Sequence, residues 1–234
     1  MTAQLRLRGD VAVLVPAAGQ GTRLGPGVAK ALRPLLDVPL LVHAVQRLAA
    51  APSVGLIVVA APPGSVDEVT DLLTPQARAL HVVPGGASRQ ASVAAALAAV
   101  PEEYPIVLVH DAARALAPPE LVERVAGAVR EGHEAVIPVL PVVDTIKHVG
   151  SAGEVIGTVD RAALRVVQTP QGFRREVLAA AHGNAVDDLT DDAGLAEKIG
   201  VPVHTVPGDE LAFKITTPLD MAVAELLIGR TLAG

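Results

Sequence analysis

Short apolar runs alternate along the chain with stretches whose apolar residues recur at helical spacing. The runs at 11–16, 55–61, 79–83, 105–110 and 134–140 have the length and residue types of buried strands. Between them, 39–50 carries Leu41, Val45 and Leu48 on one helical face, and 88–100 is an Ala-rich helix candidate. A third helix is expected over 118–130. Proline opens it, Glu120 sits in its first turn and Arg130 in its last, as the helix dipole favours. This β-α-β-α alternation predicts an α/β fold with a mostly parallel sheet covered on both faces.

The middle of the chain breaks the rhythm. Between 141 and 168 lie strand-like pieces at 142–149, 154–158 and 164–168, with turn residues Gly150-Ser151-Ala152-Gly153. They read as an arm inserted between core elements, and exposed strands of that kind commonly pair with another subunit. A helix is expected near 174–182 and a strand at 201–206. A last helix begins at Thr217-Pro218 and carries Leu219, Val223, Leu226 and Leu227. No repeat, low-complexity tail or linker divides the 234 residues, so a single domain is expected.

Composition narrows the classes. Apolar residues make up 50% of the chain but aromatic ones only 1%, so Ala, Val and Leu must build the core. The mean hydropathy is +0.44, yet no run reaches the roughly 18 apolar residues of a membrane span. The first ten residues lack a signal-peptide pattern. Zero Cys excludes disulfides, thiolate metal sites and Cys nucleophiles, and fits a cytoplasmic protein. A net charge of −6 argues against nonspecific nucleic-acid binding. It leaves room for a small anionic substrate met by a few local cations.

Such cations follow the first strand, in Pro16-Ala17-Ala18-Gly19-Gln20-Gly21-Thr22-Arg23-Leu24-Gly25, with Lys30 shortly after. Small residues let backbone N–H groups approach an anion, and Arg23 and Lys30 call for an anionic partner such as a phosphate chain. The loop is not a P-loop, because no Gly-Lys pair exists. Nor is it the dinucleotide fingerprint, because Gly19, Gly21 and Gly25 are spaced G-x-G-x-x-x-G. Gly85-Gly86 and His110-Asp111-Ala112-Ala113-Arg114 also follow strands. Three loops thus point at one sheet edge, where α/β folds bind ligands.

Taken together, seven motifs resemble the 2-C-methyl-D-erythritol 4-phosphate cytidylyltransferase family over roughly residues 10 to 230. They are Ala17-Ala18-Gly19-x-Gly21-x-Arg23 with Lys30, Gly85-Gly86-x-x-Arg89-x-x-Ser92-Val93, and Val109 to Arg114. Asp144-Thr145-Ile146-Lys147, Gln168 to Phe173, Thr190-Asp191-Asp192-Ala193 and Lys214-Ile215-Thr216 complete the set. The resemblance implies a Rossmann-like, GT-A-like nucleotidyltransferase domain spanning 1–234, with a dimerising β-arm at about 141–168. It implies CMP transfer from CTP to methylerythritol phosphate, with Mg²⁺ or another divalent cation.

By the same resemblance, Arg23, Lys30, Arg161 and Lys214 are catalytic, the first two acting at the α-phosphorus. Ala17, Ala18, Gly19, Gly21, Gly85, Gly86, Ser92, Asp111 and Ala112 would hold CTP, with Ser92 on the base and Asp111 also near the metal. Thr145, Arg161, Thr169, Thr190 and Lys214 would hold methylerythritol phosphate, with Arg161 reaching the other subunit's site. Mg²⁺ would be held mainly by CTP phosphates, and Arg114 would support the Asp111 loop. The nucleophile would be a substrate phosphate oxygen, which needs no protein base, so His110 is read as structural. The chain departs from the family's usual residues at Ala29 (Pro), Ala87 (Asp) and Ala212 (Asn). A ribitol 5-phosphate cytidylyltransferase, a noncatalytic nucleotide-binding regulator and a dinucleotide-dependent oxidoreductase are the competing readings. Ala113 and Ser92-Val93 disfavour the first, the four retained cations the second and the glycine spacing the third.

Overall fold

The computed structural model describes residues 9–19, 29–77, 79–186 and 188–232. β1 (Val11–Pro16) lies at the centre of an eight-stranded sheet. After a two-strand ribbon, β2 (Pro34–Leu35) with β3 (Val38–Pro39), come α1 (Leu40–Ala50) and β4 (Val54–Ala61). They are followed by α2 (Val66–Leu73), β5 (Leu80–Pro84), α3 (Arg89–Ala98), β6 (Ile106–Val109), α4 (Pro119–Arg130) and β7 (Ala135–Pro141). The strands β5, β4, β1 and β6 pair in parallel.

Alternate residues of β1 face opposite layers, as the period of a strand requires. Val11, Val13 and Val15 pack with Leu41, Val45 and Leu48 of α1, Val69 and Leu73 of α2, and Val125 of α4. Ala12 and Leu14 pack with Val93, Ala96 and Leu97 of α3 on the other face. Both faces of the sheet are therefore covered, which is why these strands read as continuous apolar runs.

The second half contains the hairpin expected of the inserted segment but differs from the sequence reading elsewhere. β8 (Ile146–Val149) and β9 (Val155–Val159) form a separate antiparallel hairpin. β10 (Arg165–Val167), expected in the arm, instead pairs antiparallel with the end of β7 in the main sheet. β11 (Gln171–Arg174) has no counterpart in the sequence reading. It lies antiparallel between β6 and β7. Its Gln-Gly-Phe-Arg has no alternation to betray a strand, and its neighbours bury it on both sides. α2 is likewise absent from that reading, although Val66, Val69 and Leu73 recur at helical spacing around Asp67 and Glu68. α5 (Arg175–Gly183), α6 (Asp192–Lys198), β12 (Val203–Pro207), parallel to β7, and α7 (Pro218–Leu232) complete the chain.

This topology organises the site. The parallel strands β1, β5, β6 and β12 all end at one sheet edge, and antiparallel β11 begins there. No helix among the described residues is long and apolar enough to cross a membrane.

Candidate active site

At that edge lies a cleft of about 340 Å³. Ala17, Ala18 and Gly19 after β1, Gly86 and Ser92 after β5, and Asp111 and Ala112 after β6 line it. Lys30, Lys214 and Arg89 bring cations to the same walls. Gly21 and Arg23 lie outside the described residues.

The two small-residue loops meet closely. A Cβ on Gly85 would fall 2.6 Å from the Ala18 Cβ, and one on Gly86 2.4 Å from the Ala91 Cβ. Only glycine allows this approach. Ser88 caps α3 by accepting from the Ala91 N–H at 3.1 Å. Ser92, 2% exposed, accepts from the Gly86 N–H at 3.1 Å and donates to the Ser88 carbonyl at 2.8 Å. The Gly86 carbonyl at 3.4 Å is a second backbone acceptor for the same proton, so what the hydroxyl presents to a ligand is a lone pair. Ala29 has φ −48° and ψ 138°, a backbone close to what proline imposes, so the departure there keeps the entry to Lys30.

Asp111 is the electrostatic centre. Its Oδ1 accepts from Arg89 Nε at 3.1 Å and its Oδ2 pairs with Lys214 Nζ at 2.7 Å. Burial opposes its ionisation, but Arg89, Lys214 and Arg114 outweigh that and hold the carboxyl far below its ordinary value. Arg89 also donates to Asp192 at 2.8 Å, and Asp192 faces His182 at 2.9 Å. Arg89 stays protonated between two carboxylates, which more than offset the cost of its burial. Arg114 donates to the Ala212 and Val167 carbonyls at 2.6 and 3.1 Å. Ala212 packs with Ala117 and Leu121, so a small apolar residue suits that departure too.

The described residues hold no group of three or more His, Cys, Asp or Glu able to bind a metal. Asp111 can offer one carboxylate to a cation only while sharing it with two side-chain cations. These residues fit a divalent ion carried in on phosphate oxygens, as the resemblance implies.

The remaining expected site residues scatter. Thr145 and Arg161 are exposed on the arm, where Arg161 bonds the Val143 carbonyl. Thr190 is exposed just before α6 and does not line the cleft. Thr169, read as a substrate contact, is 4% exposed and lies behind the cleft wall, its hydroxyl bonded to protein. The sequence reading gives Arg89 no role of its own, although its place between Gly86 and Ser92 marks it.

A strand-end cleft ringed by small-residue loops and phosphate-compatible cations defines an α/β nucleotidyltransferase. Residues 11–230 match the family model of 2-C-methyl-D-erythritol 4-phosphate cytidylyltransferase (IspD). The chain is 51% identical over 229 residues to the enzyme of that name from Streptomyces coelicolor, covering 94% of this chain and 85% of the relative. It is 54% identical over 225 residues to the Nocardia farcinica one, covering 96% of each. The crystal structure of the Thermus thermophilus cytidylyltransferase matches at TM-score 0.76 and 38% identity, covering 92% of this chain and 97% of that one. The chain belongs to the 2-C-methyl-D-erythritol 4-phosphate cytidylyltransferase family.

Proposed function

We propose that the strand-end cleft is where this chain carries out the cytidylyltransfer of its family. The reaction joins CTP and 2-C-methyl-D-erythritol 4-phosphate to give 4-diphosphocytidyl-2-C-methyl-D-erythritol and pyrophosphate, a step of isoprenoid precursor synthesis. A phosphate oxygen of the acceptor attacks the α-phosphorus of CTP. The new P–O bond forms as the bond to the oxygen bridging to the β-phosphorus breaks, and the electron pair leaves with pyrophosphate. The attacking oxygen is already anionic, so the protein supplies position and charge rather than a base.

The observation that carries this reading is the meeting of Lys30, Lys214 and Arg89 with two small-residue loops around one cleft. Lys30 and Arg23 stabilise charge at the α-phosphorus. Ala17, Ala18, Gly19, Gly21, Gly85, Gly86, Ser92, Asp111 and Ala112 seat CTP, and Lys214 moves between Asp111 and a substrate phosphate. Asp111 would be the protein's ligand to Mg²⁺ or a like cation, which would supply charge neutralisation of the triphosphate.

Arg161 serves the acceptor's phosphate in the cleft of a second copy, making the enzyme a homodimer through its arm, and Thr145 grips the acceptor. The exposed Val143, Val149, Val155 and Ile156 on that arm support this. Thr190 serves the same acceptor. The chain works as one domain with the arm as an insertion, in the cytoplasm, without nucleic-acid or membrane partners. The test is pyrophosphate release from CTP with methylerythritol phosphate and, separately, with ribitol 5-phosphate. Release with the first is expected, and release with ribitol 5-phosphate alone overturns the acceptor assignment.

A further inference from the structure

Three polar side chains lie behind the cleft and do not line it. Gln168, Thr169 and Gln171 are 2%, 4% and 1% exposed. Burying amide and hydroxyl groups is costly unless they are hydrogen-bonded. Each of these finds its partners on a different segment, which carries either a cleft residue or, at Asp192, the carboxylate that holds one.

Gln168 grips the backbone of Asp209 from both sides. Its Nε2 donates to the Asp209 carbonyl at 2.8 Å and its Oε1 accepts from the Asp209 N–H at 2.9 Å. A Cβ on Gly208 would fall 2.3 Å from that Oε1, so glycine keeps the grip open. Asp209 then caps the turn ahead through the Leu211 N–H at 2.9 Å. At the far end, Ile215 N–H donates to the Ala113 carbonyl at 2.9 Å. Lys214 is held between these two anchors.

Thr169 accepts from the Asp111 N–H at 3.0 Å and faces His110 Nδ1 at 3.2 Å. His110 Nε2 faces the Arg114 carbonyl at 3.3 Å. A carbonyl only accepts, so Nε2 carries the proton and Nδ1 accepts from the Thr169 hydroxyl. This neutral ring fits its burial, which pushes its pKa down to about 4. Gln171 Nε2 donates to Asp191 at 2.8 Å, and its Oε1 accepts from the Ala193 N–H at 3.1 Å. Between those residues stands Asp192, which holds Arg89.

We propose that Gln168, Thr169 and Gln171 are positioning residues that set three loops in register, so that Lys214, Asp111 and Arg89 meet at one point. The topology makes this possible, because β11 enters the sheet from the edge where the parallel strands end. The residues before it and its first residue, Gln171, therefore stand among the loops after β6 and β12 and the start of α6. Each side chain acts through one cleft residue.

The inference rests on the cytidylyltransfer reading, and failure of that reading would appear in the parent enzyme as no pyrophosphate release. The test compares kcat, KM and thermal midpoint for Gln168→Met, Thr169→Val, Thr169→Ser and Gln171→Met. Displacing a charged group by an ångström can cost about 100-fold. Losses in kcat of about 10- to 100-fold are therefore expected for the Met and Val variants, with Thr169→Ser recovering most of the activity.

A double-mutant cycle separates positioning from general loosening. Gln168→Met should cost less than about two-fold on a Lys214→Ala background, yet its full factor on a Lys30→Ala background, because residues acting through one another are not additive. If Gln168→Met does not fold, Gly208→Ala takes its place in the cycle. Equal losses on the two backgrounds overturn the proposal. So does parent-like turnover in the folded Met and Val variants, or a Thr169→Ser as impaired as Thr169→Val.

Discussion

Lys214 Nζ stands 2.7 Å from Asp111 Oδ2, and the lysine side chain is 41% exposed while the carboxylate is 12% exposed. The carboxylate is fixed by Arg89 and the fold, whereas the lysine reaches it from the rim. A triphosphate or sugar phosphate entering the cleft can compete for the lysine, while Asp111 keeps Arg89.

This arrangement makes stability depend on acid pH. Asp111 is held below its ordinary 3.8, so the unfolded chain takes up the proton first. Its stabilisation is complete above about pH 4 and is lost as pH falls further. Urea midpoints between about pH 5 and pH 2.5 should fall more steeply for the parent than for Asp111→Asn. Parallel curves would mean that the ion pairs contribute nothing to folding.

His110 acts in a separate window. Burial brings it from 6.5 to about 4, against the pull of Asp111, so the folded protein resists protonation. Stability should be full above about pH 6.5 and decline toward pH 4, by on the order of 3 kcal/mol. His110→Gln should remove that slope between pH 6.5 and pH 4 in the same urea series. A variant that keeps the full slope would assign it to another group.

Lys30→Ala and Arg23→Ala should each lower turnover by about 100-fold or more with the thermal midpoint unchanged, because such cations act on charge that develops at phosphorus. A variant that turns over like the parent loses its assignment.

CTP should outcompete UTP and ATP. The Ser92 hydroxyl directs its proton to the Ser88 carbonyl and so presents a lone pair to a ligand, which suits the exocyclic amine of cytosine and not the carbonyl of uracil. Ser92→Ala should narrow the ratio of kcat/KM for CTP over UTP by about 10-fold or more. An unchanged ratio would leave base choice to the backbone of the Gly85–Gly86 turn.

Mixing Arg161→Ala with Lys30→Ala chains tests the shared site. Each homodimer should be nearly inactive. Mixed dimers should recover up to about half of the parent's activity, since one of two symmetric sites is then intact. No recovery despite proven subunit exchange would assign Arg161 to its own chain.

The apolar runs determined the parallel strands, because a strand buried on both faces must be apolar throughout. Small residues and cations after β1, β5 and β6 determined where the cleft would be, since backbone approach to an anion constrains local composition. The sequence could not show β11, whose four residues become a strand only because β6 and β7 flank them. Nor could it separate the exposed Thr145 and Arg161 from the buried Thr169, because hydroxyl and guanidinium groups look alike until burial is known. Only the tertiary structure decided that Gln168, Thr169 and Gln171 spend their hydrogen bonds on neighbouring loops. Those partners are distant in the chain, and only the reversed strand brings them to the edge where the cleft opens.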